Sequence, residues 1–329
     1  MKKIISVCLC AVLIFCAFCA CSGEAETDVN DNKQEKLSIV TTIFPIYDWI
    51  MEILGDKAEE ADVKMLIDTG VDLHSFQPSP SDIMAVSECD VFVFVGGESD
   101  NWIGDILNSA ENKDMISINL METLGSKAKT EEIKEGMEEE DGEEDGEIEY
   151  DEHIWLSLEN AKELVSQIAE KICLADEENR DAYIKNANAY INKLDALDDR
   201  YESEIEKAKN DTVVFADRFP FRYLVDDYDL NYYAAFVGCS AESEASFKTV
   251  SFLAEKLNEK SLKYVMTLEG TDHRIAEAVI ANTNRDDIEI LSVDSLQSVT
   301  GTDVENGAKY LDIMEKNLDV FLKALGSEA

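Results

Sequence analysis

Short apolar runs alternate with amphipathic segments through most of the chain. KLSIVTTI, ADVKMLI, DVFVFVG and MISINL read as buried β-strands, and YDWIMEILGD and SDIMAVSEC between them as helices, because the apolar residues of the latter recur every three or four positions. Such alternation is the rhythm of βαβ units and predicts a parallel sheet. The rhythm returns in DTVVFA, LNYYAAFVG, KYVMTLE and IEILSVD, separated by the helical patterns FRYLVDDY, SFKTVSFLAEKLNE and HRIAEAVIAN. The fold class is therefore α/β, with two lobes that each hold a parallel sheet flanked by helices.

Two helical segments lie between the lobes. LENAKELVSQIAEKI closes the first half, and EENRDAYIKNANAYINKLDALDDRYESEIEKAKN then runs on without Gly or Pro. Its Tyr183, Ala187, Tyr190, Leu194, Leu197, Tyr201 and Ile205 recur at spacings of three or four and form one apolar stripe. A single rigid helix of some thirty residues would span roughly 45 Å and bridge the two lobes as a rod. The expected division is a signal over residues 1–20, a polar tether over 21–37, a first lobe over 38–175, a linking helix over 176–209 and a second lobe over 210–329.

The first twenty residues carry a positive start, MKK, and an apolar run from Ile4 to Phe18 that is too short for a comfortable membrane span. They read as an export signal. Phe18, Ala20 and Cys21 resemble the lipobox of bacterial lipoproteins, which implies a lipid on Cys21 and an extracytoplasmic chain anchored to the bacterial cell membrane. The following SGEAETDVNDNKQEK has almost nothing apolar to pack, as a tether requires.

Charge narrows the range of partners. With 29 basic residues against 71 acidic ones the formal net charge is -42, which excludes a phosphate backbone as ligand and makes cations the natural ones. An acidic excess also serves solubility alone. The densest run, residues 131–152, is punctuated by Gly136, Gly142 and Gly146 and reads as a mobile loop on the first lobe. It is either an electrostatic antenna for divalent cations or a solvated insertion without a role. Past the signal only Cys89, Cys173 and Cys239 remain in the body. An odd number gives no disulfide framework, no CxxC pair survives to suggest a thiolate zinc site, and the three read as buried thiols.

Open α/β sheets bind ligands beyond the carboxyl ends of their strands, and three metal-binding residue types stand there. His74 lies in VDLHSFQPSPSDI after the second strand, His153 in DEHIWLSLENA before a helix, and Asp294 at the end of IEILSVD. Two of only three histidines thus occupy equivalent loop positions. The third, His273, reads as a surface residue. No HExxH is present and no Ser or Cys nucleophile has a base partner in sequence context, so an enzyme is not expected.

The segments TTIFPIYDWIMEILGD, LHSFQPSPSDI, VFVGG, DEHIWLSLENAK and the long helix are similar, in order and spacing, to those of zinc- and manganese-binding lipoproteins of bacterial metal-importing ABC transporters, the cluster A-I solute-binding family. The resemblance covers about residues 38–325, and LHSFQPSP and DEHIWLS are its most specific parts. It implies two α/β lobes with metal in the cleft, and His74, His153 and the strand-end acid Asp294 as ligands. The family places a further ligand at the end of the first strand of the second lobe, where DTVVFADRFPF sets Ala216, which cannot coordinate. Asp217, Glu269 or a water are the open candidates for that role, and Asp217 faces the cleft only if the strand has ended before it. Two imidazoles with carboxylates suit Zn²⁺, and Mn²⁺ in a larger shell is the alternative. The resemblance further implies a monomer that delivers its ion to an ABC permease driven by a cytosolic ATPase, with a surface adhesin on the same scaffold as the competing role.

Overall fold

The computed structural model describes residues 36–138, 149–240 and 244–327. The expected signal, the lipid-bearing Cys21, most of the tether and residues 139–148 of the acidic run lie outside them.

In the first half β1 (Leu37–Thr41), β2 (Ala61–Met65), β3 (Val91–Phe94) and β4 (Ile116–Asn119) pair in parallel in the order β2-β1-β3-β4. Between and after them come α1 (Phe44–Leu54), α2 (Pro80–Glu88), α3 (Ile103–Ser109), α4 (Leu120–Leu124) and α5 (Leu158–Ala175). A long helix, α6 (Arg180–Ile205), leads to the second half. There β5 (Thr212–Phe219), β6 (Asn231–Val237), β7 (Tyr264–Leu268) and β8 (Glu289–Val293) repeat the pattern in the order β6-β5-β7-β8, again all parallel. Helices α7 (Arg222–Asp227), α8 (Phe247–Glu259), α9 (Arg274–Thr283), α10 (Gly301–Glu305) and α11 (Tyr310–Ala324) complete it.

Strand periodicity sorts side chains between layers. Val91, Val93 and Val95 face the main core with α1, α5 and α6, while Phe92 and Phe94 face a smaller one with α2 and α3. Val213 and Phe215 likewise join the main core, and Val214 and Ala216 pack toward α8 and α9. The main core is continuous: it draws Ile39 and Val93 from the first sheet and Val213, Phe215 and Met266 from the second. Polar contacts reinforce the junction, since the Tyr310 hydroxyl donates to the Trp155 carbonyl at 2.6 Å and the Tyr310 amide to Asp48 at 3.1 Å.

Along α6 the buried residues are Tyr183, Ala187, Tyr190, Leu194, Leu197, Tyr201 and Ile205, the stripe read from the sequence. The helix is shorter than expected, 26 residues or roughly 39 Å at ~1.5 Å per residue. Asp176 accounts for the late start: its carboxylate accepts from the Asn179 amide and the Tyr183 hydroxyl, which turns the chain between α5 and α6.

The base of the acidic run departs from the expected free loop of the first lobe. Glu131 donates its amide to the Glu149 carbonyl at 3.0 Å, closing a neck, and the Glu138 amide donates to Ala235 of β6 at 2.9 Å. Since β6 is an edge strand, this contact covers part of an otherwise unpaired edge. The base thus straddles both lobes.

Candidate metal centre

His74 sits in a 3-10 turn, Leu73–Ser75, after β2. Asp72 caps that turn by accepting the His74 amide at 3.0 Å, and the Leu73 amide reaches Gln297 of the second lobe at 3.4 Å. The VFVGG segment supplies the next partner. Gly96 and Gly97 follow β3 with φ of +90° and +85°, a region costly for any side chain, and their turn delivers Ser99 to within 2.7 Å of His74 Nδ1. At Gly97 a Cβ would also strike the Glu152 carboxylate at 2.3 Å. Burial, then the neighbouring His153, pushes the His74 pKa down to about 4, so its ring is neutral at physiological pH.

His153 is wholly buried, just before α5. Asp151 accepts both its backbone amide, at 2.9 Å, and its Nδ1–H, at 2.8 Å. A carboxylate only accepts, so the proton resides on Nδ1 and the Nε2 lone pair points away from Asp151. Burial opposes charge on this ring, but the adjacent Asp151 outweighs it and raises the pKa above the ordinary value. Carboxylates behind a ligating imidazole commonly contribute about 10–100-fold to metal affinity. Asp151→Asn should therefore weaken Zn²⁺ binding by about that factor with little change in melting temperature, as equilibrium competition with a chelator would measure.

The two rings meet edge to edge. His74 Nε2 and His153 Nε2 stand 3.3 Å apart, with ring centroids 5.2 Å apart and planes tilted by 56°. Two nitrogens bound to one tetrahedral Zn²⁺ at ~2.0–2.1 Å are themselves separated by about 3.3–3.4 Å, so the pair already has the spacing of two ligands on one ion. A third metal-binding group joins them. Among the described residues, Cys239 offers its sulfur within 4.8 Å of donor atoms of both histidines. It follows β6, and burial first, then Glu131 and Asp151, hold its thiol far above the usual range.

The carboxylates expected from the second lobe are engaged elsewhere. A register shift in β5 between Phe215 and Arg218 turns Asp217 onto its own sheet, where it accepts from the Leu268 and Arg218 amides at 3.1 and 2.9 Å. Ala216 is buried in the α8 and α9 core. The residue that β5 presents across the lobes is Arg218, whose guanidinium pairs with Asp72 at 2.8 Å. Burial disfavours the Asp72 charge, yet Arg218 and His74 hold its pKa below the ordinary value. Glu269 accepts from Ser295 and Ser298, and Asp294 accepts the Leu296 amide at 2.7 Å in its own turn. Both line a cavity of about 400 Å³ with Asp303, Lys309, Asp312 and Lys316, and neither belongs to the histidine cluster. His273 is half-buried, not free on the surface: its Nδ1 lies 3.1 Å from the Thr267 hydroxyl, and its ring lines a cavity of about 410 Å³ beside Asp72 and Arg218.

Sequence reasoning passed over Asp151, Ser99, Arg218 and Cys239. Asp151 was hidden in the acidic run, although an acid two residues before a histidine is a plain orienting signal. Cys239 stands at a strand end like the residues singled out, and was set aside for want of a CxxC partner. The thiols Cys89 and Cys173 are free and buried, whereas Cys239 is free and only partly buried.

Two parallel-sheet lobes joined by one helix, with an opposed histidine pair at their junction, make this a bilobal α/β protein with a candidate metal centre. The chain belongs to the family described as zinc-uptake complex component A, periplasmic, which it matches over residues 39–324. It is 30% identical to the zinc-binding lipoprotein AdcA of Streptococcus pneumoniae over all of its own length and 62% of that protein's. The high-affinity zinc uptake system protein ZnuA of Bacillus subtilis is 29% identical, with 94% of each chain covered. Among solved structures, Zn(II)-bound AdcA from Streptococcus pneumoniae superposes with a TM-score of 0.71 at 27% identity, over 89% of this chain and 58% of that one. The metal-dependent lipoprotein YcdH of Bacillus subtilis gives 0.71 at 26% identity, over 88% and 99%.

Proposed function

We propose that this chain is the ion-capturing component of a zinc importer: it binds one Zn²⁺ between its lobes through His74 and His153 and hands it to an ABC permease driven by a cytosolic ATPase. The observation that carries this reading is the pair of Nε2 atoms opposed at 3.3 Å, each ring fixed from behind by Asp151 or Ser99. Like ligand groups forced so close in a buried place need a cation between them or a shared proton. The family and the zinc-binding relatives favour the cation.

On this reading the lobes extend over residues 38–175 and 210–329 about a linking segment 176–209, and the chain acts as a monomer without catalysing a reaction. Lipid on Cys21 would keep it outside the cell membrane; no helix among the described residues is long and apolar enough to cross one. Capture consists of replacing waters on the ion by imidazole nitrogens. The continuous core and α6 allow only small displacements of the lobes. Calorimetric titration of the metal-free chain should show one Zn²⁺ per chain, displacing Mn²⁺ when both are present, since N-donor sites favour zinc in the Irving–Williams order. No saturable zinc binding would overturn the proposal.

A further inference from the structure

We propose that the Cys239 thiolate is the third protein ligand of the captured ion, completing with His74 and His153 an N₂S donor set that selects zinc over manganese. The inference rests on the reading that the histidine pair holds the metal, and adds to it a residue from the opposite lobe. Its first support is position: the Cys239 sulfur and a donor nitrogen of each histidine all lie within 4.8 Å of one another. A tetrahedral ion with metal–nitrogen bonds of ~2.0–2.1 Å and a metal–sulfur bond of ~2.3 Å sets sulfur about 3.5 Å from each nitrogen. The sulfur–nitrogen separations therefore exceed those of a bound thiolate by little more than about an ångström at most.

The backbone around Cys239 is fixed toward the rings. Gly238 lies so close that a Cβ there would be 3.1 Å from His153 Cε1 and Nδ1 and 3.0 Å from the Phe219 carbonyl, so any side chain would force its neighbours to shift. The Cys239 amide donates to Glu131 at 3.0 Å, and the Ser240 carbonyl accepts from Arg218 at 3.4 Å. The loop is thus held from both sides. Asp217, Glu269 and Asp294 are not part of the cluster among the described residues, whereas the Cys239 sulfur is.

Chemistry then sets the cargo. Coordination replaces the S–H bond by a sulfur–metal bond and releases the proton to solvent. Thiolate is a soft ligand that suits zinc and gives manganese little, while two imidazoles and a thiolate leave a fourth tetrahedral position open through which an ion can enter and leave.

Cobalt(II) titration of the full chain tests this, because a thiolate bound to cobalt gives a near-ultraviolet charge-transfer band that nitrogen and oxygen ligands do not. One equivalent of Co²⁺ should give that band together with visible d–d bands. The charge-transfer band should persist in Cys173→Ala and vanish in Cys239→Ser, which should keep its d–d bands. Zinc affinity of Cys239→Ser should fall at least about 10-fold while manganese affinity stays within about 3-fold, narrowing the preference, since even groups behind the ligands contribute that much. Visible bands without the sulfur band in the unmodified chain, or a sulfur band that survives Cys239→Ser, would overturn the thiolate and leave the histidine reading intact. Absence of any cobalt or zinc binding by the unmodified chain would overturn both.

Discussion

Replacing His153 by alanine should lower Zn²⁺ affinity by at least about 100-fold, or roughly 2.8 kcal/mol. The estimate follows from placement: the ring is fully buried, directs its Nδ1–H to Asp151, and presents its remaining nitrogen to His74 at 3.3 Å. A ligand contributes no less than the carboxylate that orients it, and orienting groups contribute about 10–100-fold. His74→Ala should match it, since its Nε2 faces the same point between the rings. Chelator competition gives the affinities, and melting curves of the metal-free variants separate lost binding from lost fold. An affinity within about 3-fold of the unmodified chain would contradict the assignment.

Trp155→Ala should have the largest effect on stability, a loss of roughly 3–5 kcal/mol for removing a buried indole. Trp155 is 1% exposed, its indole N–H donates to the Ser295 carbonyl of the second lobe at 2.9 Å, and its ring lies 5.2 Å from that of His153. Its carbonyl in turn accepts the Tyr310 hydroxyl. The substitution removes packing and leaves a buried acceptor unpaired at the place where the lobes meet. Trp155→Phe should cost less, since it keeps an aromatic ring and loses mainly the N–H contact, worth about 1–3 kcal/mol when its partner is stranded. Denaturant unfolding of both metal-free variants measures the difference. A loss below about 1 kcal/mol for Trp155→Ala would show that the neighbouring rings close over the gap.

What was legible in the sequence was what local periodicity encodes. The seven-residue stripe of α6 was complete because a helix repeats every 3.6 residues whatever it packs against. His74 and His153 were legible because each stands in a short motif of strong type. The second lobe's contribution was not. A register shift in β5 exchanges the faces on which successive side chains fall, and nothing in DTVVFADRFPF marks it. Ala216 was therefore set where Arg218 stands, and Asp217 was sought in the cleft when it caps its own sheet. Glu269 and Asp294 have local partners for a related reason: acids at strand ends find nearby amides and hydroxyls, here those of Ser295, Leu296 and Ser298, and a sequence does not reveal that competition. Cys239 was missed because its companions come from residues 74 and 153, far away along the chain.

The unbroken hydrophobic cluster beneath both sheets has a consequence for how the molecule comes into being. Although strand order repeats from one half to the other and each half has a smaller core of its own, neither completes the main one alone: a fragment ending after α6 would bare Trp155 and Tyr201, and one beginning at β5 would bare Phe321 and Tyr310. The chain therefore gains its main stability only once its last helix has been made.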